Sequence, residues 1–248
     1  MKVAAYQAPL SAIGSSDVLA LIREQIALCE AQGVEILCCP EGVWGGLADY
    51  AETPLSRAID VEGGQLHKLL APLASERVTT ILGFTEVDRA GRLYNAAAVF
   101  YQGTVIGLYR KLYPAINKSV YMAGDKLPVF TVGELTFGIL LCRDSTYYEP
   151  ARIMAAQGAA ALFVPTNNGL PHGRVGPEIV TEARYTDIAR AMENSVAVIR
   201  ADVAGETERL CSYGSTGIVN HNGKVLQTAR QLVPDLLIAD IKTKVGLP

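Results

Sequence analysis

Residues 31–42, AQGVEILCCPEG, and residues 156–167, AQGAAALFVPTN, carry the same phrase: a helix end, a glycine cap, a buried strand and then a polar turn. Each follows a strand and a helix. In the first case these are KVAAYQAP from Lys2 and LALIREQIALCE from Leu19; in the second, TFGILLC from Thr136 and EPARIMAA from Glu149. The likeness continues downstream. A further helix, GGQLHKLLAPLASE or PEIVTEARYTDIARAMENS, leads into a strand, TTILGFTEV or VAVIRADV. A hairpin then follows, turning at Gly103 in FYQGTVIGLY and at Gly223 in VNHNGKVLQT.

Two like halves, each a mixed sheet with two helices, predict an α/β fold of two sheets packed face to face with the helices outside. This is a four-layer α-β-β-α sandwich with an internal pseudo-twofold repeat, expected to form one domain over residues 1–248. Parallel strands of one unit end on a common rim, where open α/β sheets place their ligands. Gln7 and Glu41 end the first pair of strands, and Cys142 and Thr166 the second.

The composition narrows the function classes. Half of the residues are apolar, and 22 Lys plus Arg against 25 Asp plus Glu leave a formal charge of -3 with no long basic tract, which argues against a nucleic-acid partner. No apolar run is long enough to span a bilayer, and the opening Met-Lys-Val lacks the pattern of a secretory signal, so no membrane association is expected. The five cysteines, Cys29, Cys38, Cys39, Cys142 and Cys211, are odd in number and lack CxxC spacing. They fit a reduced, cytoplasmic protein rather than a disulfide framework or a metal site.

Cys142 stands at the end of FGILLC, before a helix that starts near Pro150, so a sharp strand-to-helix turn would present its sulfur on the rim. A cysteine ending an apolar strand is also an ordinary core residue, as Cys38 and Cys39 illustrate. A reactive thiol needs a base or a cation nearby. Among the three histidines only His172, in the loop NGLPHGRVGP, could pair with Cys142 with any ease. Glu41, closing VEILCCPE, is the better base if partly buried, and an ordinary loop glutamate otherwise. Lys111, closing TVIGLYRK, is either a solvated strand terminus or a fixed cation for Glu41 and an oxyanion, with the backbone N–H of Arg143 as a second donor.

The motifs CCPEG around Glu41, YRKLYP around Lys111 and LLCRDSTYYEPARIMAAQGA around Cys142, in this order, resemble the nitrilase superfamily of carbon-nitrogen hydrolases. The resemblance runs from KVAAYQAP to STGIVNHNGKVL, essentially the whole chain. It implies a single carbon-nitrogen hydrolase domain with Cys142 as nucleophile, Glu41 as general base and acid, and Lys111 as oxyanion stabiliser. It also implies a thioester intermediate, no metal or organic cofactor, and a homodimer built through the helical layers.

Two positions depart from the pattern. Where many relatives carry a second glutamate ahead of an aromatic-x-x-Gly sequence, here YMAG from Tyr121, this chain has Asn117, expected instead to orient Lys111 or the substrate amide. True nitrilases usually follow the nucleophile with Trp-Glu; Arg143-Asp144 is similar to the amide-hydrolysing branches. The resulting expectation is a small-molecule amidase, with an N-carbamoyl amine or acid hydrolase, or a nitrilase, as alternatives on the same triad. A non-catalytic binding protein on the same fold is the alternative of another class. Substrate contacts are expected from the loops after Glu41, Lys111 and Pro165 and from the turn after the nucleophile: Trp44, Tyr113, Asn117, Tyr147, Asn167, Asn168, His172 and Arg174. Arg143 or Arg174 would suit a substrate carboxylate.

Overall fold

Strand β1 (Lys2–Pro9) sets the layering by its alternation. Val3 and Ala5 point into one apolar cluster and Ala4, Tyr6 and Ala8 into another, so both faces of the strand are covered. The computed structural model describes residues 1–15, 17–174 and 176–244. Its first half continues through helix α1 (Val18–Ala31) and strands β2 (Ile36–Cys38) and β3 (Ile59–Asp60) to helix α2 (Gln65–Leu70). Strands β4 (Thr79–Val87), β5 (Leu93–Tyr101) and β6 (Thr104–Arg110) complete it. The second half runs β7 (Val129–Val132), β8 (Leu135–Ile139), helix α3 (Tyr148–Ala156), β9 (Ala161–Pro165), β10 (Leu170–Pro171) and helix α4 (Glu178–Asn194). It ends with β11 (Ala197–Ala201), β12 (Val203–Glu206), β13 (Leu210–Ser212), β14 (Gly217–Val219), β15 (Val225–Thr228) and β16 (Asp235–Asp240).

The expected repeat is present in the strand order. The first sheet contains β1-β2-β4-β5-β6 and the second β8-β9-β11-β14-β15. In both, the first two junctions are parallel and the next two antiparallel. Each sheet also gains one antiparallel strand beside its leading strand, and here the halves differ in chain connectivity. The second sheet takes β7, which directly precedes β8, whereas the first takes β16 from the far end of the chain. The segment β12–β13, with β10, extends the first sheet beyond the end of β1.

Helices α1 and α2 cover the outer face of the first sheet through Val18, Ile22, Ile26, Leu66 and Leu70. Helices α3 and α4 cover the second sheet through Ala151, Met154 and Ala191, within the same apolar cluster that fills the space between the sheets. Adjacent Cys38 and Cys39 fall on opposite faces of β2, both with no solvent exposure, and burial pushes both thiols up. The sandwich is apolar through its centre. Many of its buried polar groups lie near one rim of the sheets, at Gln7, Glu41, Lys111, Asp144, Thr166 and Asp202.

Candidate active site

Glu41 follows β2 at a turn completed by Gly42, whose φ of +57° favours a residue without a Cβ. The turn is tied to the second sheet: the Glu41 N–H donates to the Thr166 carbonyl at 3.2 Å, and Asn167 Nδ2 donates to the Glu41 carbonyl at 3.3 Å. Lys111 follows β6, held by its N–H to the Asn95 carbonyl at 2.8 Å. Strands of the first half therefore deliver both groups to one rim, tied there to the end of β9 of the second half, and both side chains are buried.

An isolated buried charge is costly, and here the two charges answer each other. Lys111 Nζ donates to Glu41 Oε1 at 2.5 Å, and Asn95 Nδ2 donates to the same oxygen at 2.8 Å. Burial works against the Lys111 ammonium, but the charges of Glu41, Cys142 and Asp144 outweigh it and hold its pKa above that of an ordinary lysine. Glu41 Oε2 takes no hydrogen bond among the described residues.

Cys142 opens a short 3-10 turn, Cys142–Thr146, with two residues between it and the end of β8, and its φ of +45° is unusual for a residue with a side chain. The turn that strains the backbone also brings the sulfur to the rim. Ser145 Oγ donates to the Cys142 carbonyl at 2.7 Å and accepts from Arg200 Nη2 at 3.0 Å. Arg200 is itself buried and fixed by Asp187 and by Thr166 Oγ1. Burial pushes the Cys142 thiol up to about 12; the Glu41 charge adds to the shift, while Lys111 and Arg200 oppose it.

The residues expected at substrate divide into two groups. Cys142, Arg143, Asn168 and Arg200 line a cavity of about 260 Å³ bounded by α4, and Asn167 with Tyr50 lines a wider cleft of about 510 Å³ on the Glu41 side. Burial and the charges of Asp49, Glu41 and Cys142 raise the pKa of Tyr50. Tyr113 and Tyr147 stack with centroids 3.9 Å apart at the outer edge. Arg143 is engaged in the scaffold, donating from Nη1 to the Ala115 carbonyl at 2.8 Å, and its side chain thereby braces the loop after Lys111.

Other expected contacts lie elsewhere. Trp44 packs against the outer cluster beneath the helical layer of the first sheet and borders a separate cleft with Ile59. Asn117 is exposed and makes no hydrogen bond to Lys111; the groups that orient Lys111 are Glu41 and the backbone of Asn95. His172 is exposed, with Nε2 2.9 Å from the Thr207 carbonyl, and Arg174 is exposed beside it in the chain. Neither lines the cavity at Cys142. Sequence reasoning missed Asn95, Arg200 and Asp202. Their signal was present as single polar residues inside the apolar strands LYNAAAVF and AVIRADV, where a buried polar group needs a partner.

The chain is 30% identical over 234 residues to a protein of Pseudomonas protegens described as a hydrolase in the pqqF 5′ region, covering 92% of this chain and 79% of that protein. It is 30% identical to an (R)-stereoselective amidase of Pseudomonas sp, over 81% of this chain and 70% of the amidase. The fold matches an amidase from Nesterenkonia sp. with a TM-score of 0.81 at 23% identity, over 99% of this chain and 91% of the amidase. The model of the carbon-nitrogen hydrolase family matches residues 2–246, and the chain belongs to that family, within the nitrilase superfamily.

Proposed function

We propose that the protein hydrolyses small carboxamides through a thioester on Cys142, with Glu41 as general base and acid and Lys111 as oxyanion stabiliser. The observation that carries this reading is the division of labour on Glu41. Both of its donors, Lys111 Nζ and Asn95 Nδ2, fall on Oε1, which leaves Oε2 for proton transfer. Burial pushes the Cys142 thiol up to about 12, which favours a base that takes its proton as the bond to carbon forms.

Glu41 Oε2 takes the thiol proton as Sγ bonds to the carbonyl carbon, and the carbonyl electron pair moves onto oxygen. Lys111 Nζ and the N–H of Arg143, in the first turn of the 3-10 segment where backbone donors lack intrahelical acceptors, receive that oxyanion. On collapse, Glu41 gives the proton to the departing nitrogen. Water then enters with Glu41 again as base, the C–S bond breaks, and the thiol is restored.

The similarity to a Pseudomonas amidase supports amides as substrates. So does the Nesterenkonia amidase, whose active-site cysteine takes up acrylamide by Michael addition in a Glu→Gln variant.

The test is intact-mass spectrometry of acid-quenched protein incubated with primary amides, N-carbamoyl compounds and nitriles, alongside ammonia release. An acyl adduct is expected in the native protein with amides and none in Cys142→Ala. Glu41→Gln is expected to slow hydrolysis by about 10²–10⁴-fold. The same variant keeps Cys142 open to iodoacetamide, because removing the Glu41 charge leaves Lys111 to lower the thiol pKa. Absence of adduct and ammonia with every class, or an unchanged hydrolytic rate in Glu41→Gln, would overturn the proposal.

A further inference from the structure

Asp202 lies at the end of β11, fully buried, and its carboxylate accepts five hydrogen bonds. Oδ1 receives the N–H groups of Asn168 at 3.0 Å and Val203 at 2.8 Å. Oδ2 receives Asn168 Nδ2 at 2.9 Å, the Ser215 N–H at 2.9 Å and Ser215 Oγ at 2.6 Å. The acceptor-only chemistry of a carboxylate fixes which end of the Asn168 amide faces it. Ser215 gives its single hydroxyl proton to Asp202, so Ser215 Oγ can only accept from Asn168 Nδ2, 3.2 Å away. Both amide protons of Asn168 are thus spent on the Asp202–Ser215 pair, and flipping the amide would set its oxygen against two acceptors.

What remains of Asn168 is Oδ1, which accepts a long hydrogen bond from the Cys142 thiol at 4.0 Å in the cavity that the two residues share, a contact that ends when the thiol gives up its proton. An acceptor locked at this distance from the nucleophile meets the atoms bonded to the carbonyl carbon under attack. A carboxamide or N-carbamoyl group offers an N–H there; an ester, a nitrile or a tertiary amide offers none and leaves a desolvated carbonyl oxygen without a donor.

We propose that Asn168 Oδ1 accepts a hydrogen bond from the substrate's N–H, with Asp202 as the positioning residue, and that this contact selects N–H-bearing amides and N-carbamoyl compounds over esters, nitriles and tertiary amides. The inference rests on the hydrolase reading above for its setting, but its test does not depend on turnover.

Two ratios are compared between native protein, Asn168→Ala and Asp202→Asn, with circular dichroism as a check on folding. The first is kcat/KM for propionamide over methyl propionate. The second is the rate of Cys142 alkylation by iodoacetamide over that by methyl iodoacetate, reagents that differ in the same N–H. Both ratios are expected to fall about tenfold in Asn168→Ala, the loss of one hydrogen bond to a group held out of water. They should fall in the same direction in Asp202→Asn, where the amide is free to turn its Nδ2 toward the sulfur. A purely structural role would slow both members of each pair together and leave the ratios unchanged, and that result in the alkylation assay would overturn the contact. Loss of alkylation selectivity in a protein that hydrolyses neither propionate derivative would support the contact and count against the hydrolase reading alone.

Discussion

Asp144 is buried and accepts hydrogen bonds from the Tyr109 hydroxyl at 2.7 Å and from the N–H groups of Leu112 and Tyr113 at 3.3 and 2.9 Å, the two residues that follow Lys111. A carboxylate two positions after the nucleophile thus holds the chain carrying the cation. Burial raises its pKa to about 6, against the opposing pull of Lys111 and of these three donors. The folded-state value lies above that of the unfolded chain, so between about pH 4 and 6 the native protein retains a proton that the unfolded chain has released. Stability from this group is full at the acid end and is lost as pH rises through the window, by about 3 kcal/mol in all. Urea unfolding of native protein and Asp144→Asn at intervals from pH 4 to 7 should show that downward contribution only in the native protein. Parallel pH profiles would refute the assignment. The Arg143-Asp144 pair was legible in sequence as a pointer toward amides, but its structural work was not, because Tyr109, Leu112 and Tyr113 reach Asp144 only through the pairing of the two halves.

At the level of elements, the position of Glu41 depends on a strand that never contributes a reacting group. Strand β4 passes beneath the Glu41 turn at Gly83, where a Cβ would lie 2.5 Å from the Pro40 carbonyl oxygen, 2.6 Å from the Gly42 nitrogen and 2.8 Å from the Glu41 Cα. All three are backbone atoms, so the turn itself must move to admit a methyl group. Gly83→Ala is therefore expected to lower stability by about 1–3 kcal/mol and to depress kcat further than the change in folded fraction explains. Thermal melts read against kcat would check this, and native-like activity in a folded Gly83→Ala protein would show that the turn is not fixed by this approach. In TTILGFTEV the glycine looks like a weak point in an apolar strand; its meaning lies in what crosses it. The same holds for the loops after Glu41 and Lys111, which clasp each other. Asp49 accepts from Ser119 Oγ and the Val120 N–H, and the Tyr121 hydroxyl joins the Ala48 N–H to Thr85. Such contacts explain why Asn117, at the tip of one loop, stands outside the site its sequence neighbourhood suggested.

The whole molecule repeats the lesson at longer range. The order of strands and helices within each half was legible because hydrophobic period and turn residues are local signals. The pairing of β16 with β1, which joins Asp240 to Lys2, has no local signature and followed from neither half. The helical faces pose a remaining question at this scale. Tyr185 and Met192, two turns apart on α4, are 68% and 61% exposed, and Tyr148 and Ile153 on α3 are also exposed. Arg190, on the opposite side of α4 from this pair, is buried at 9% exposure. Large apolar side chains exposed on two neighbouring helices are the composition of a surface that gains by being covered. We propose that a second copy, packed through the same helices, covers it, as the resemblance to the nitrilase superfamily implies. Sedimentation velocity at micromolar concentration should therefore give a dimer for the native protein and a shift toward monomer for Tyr185→Glu combined with Met192→Glu. A monomeric native protein across that range, or a dimer indifferent to charge at Tyr185 and Met192, would move the interface away from α4.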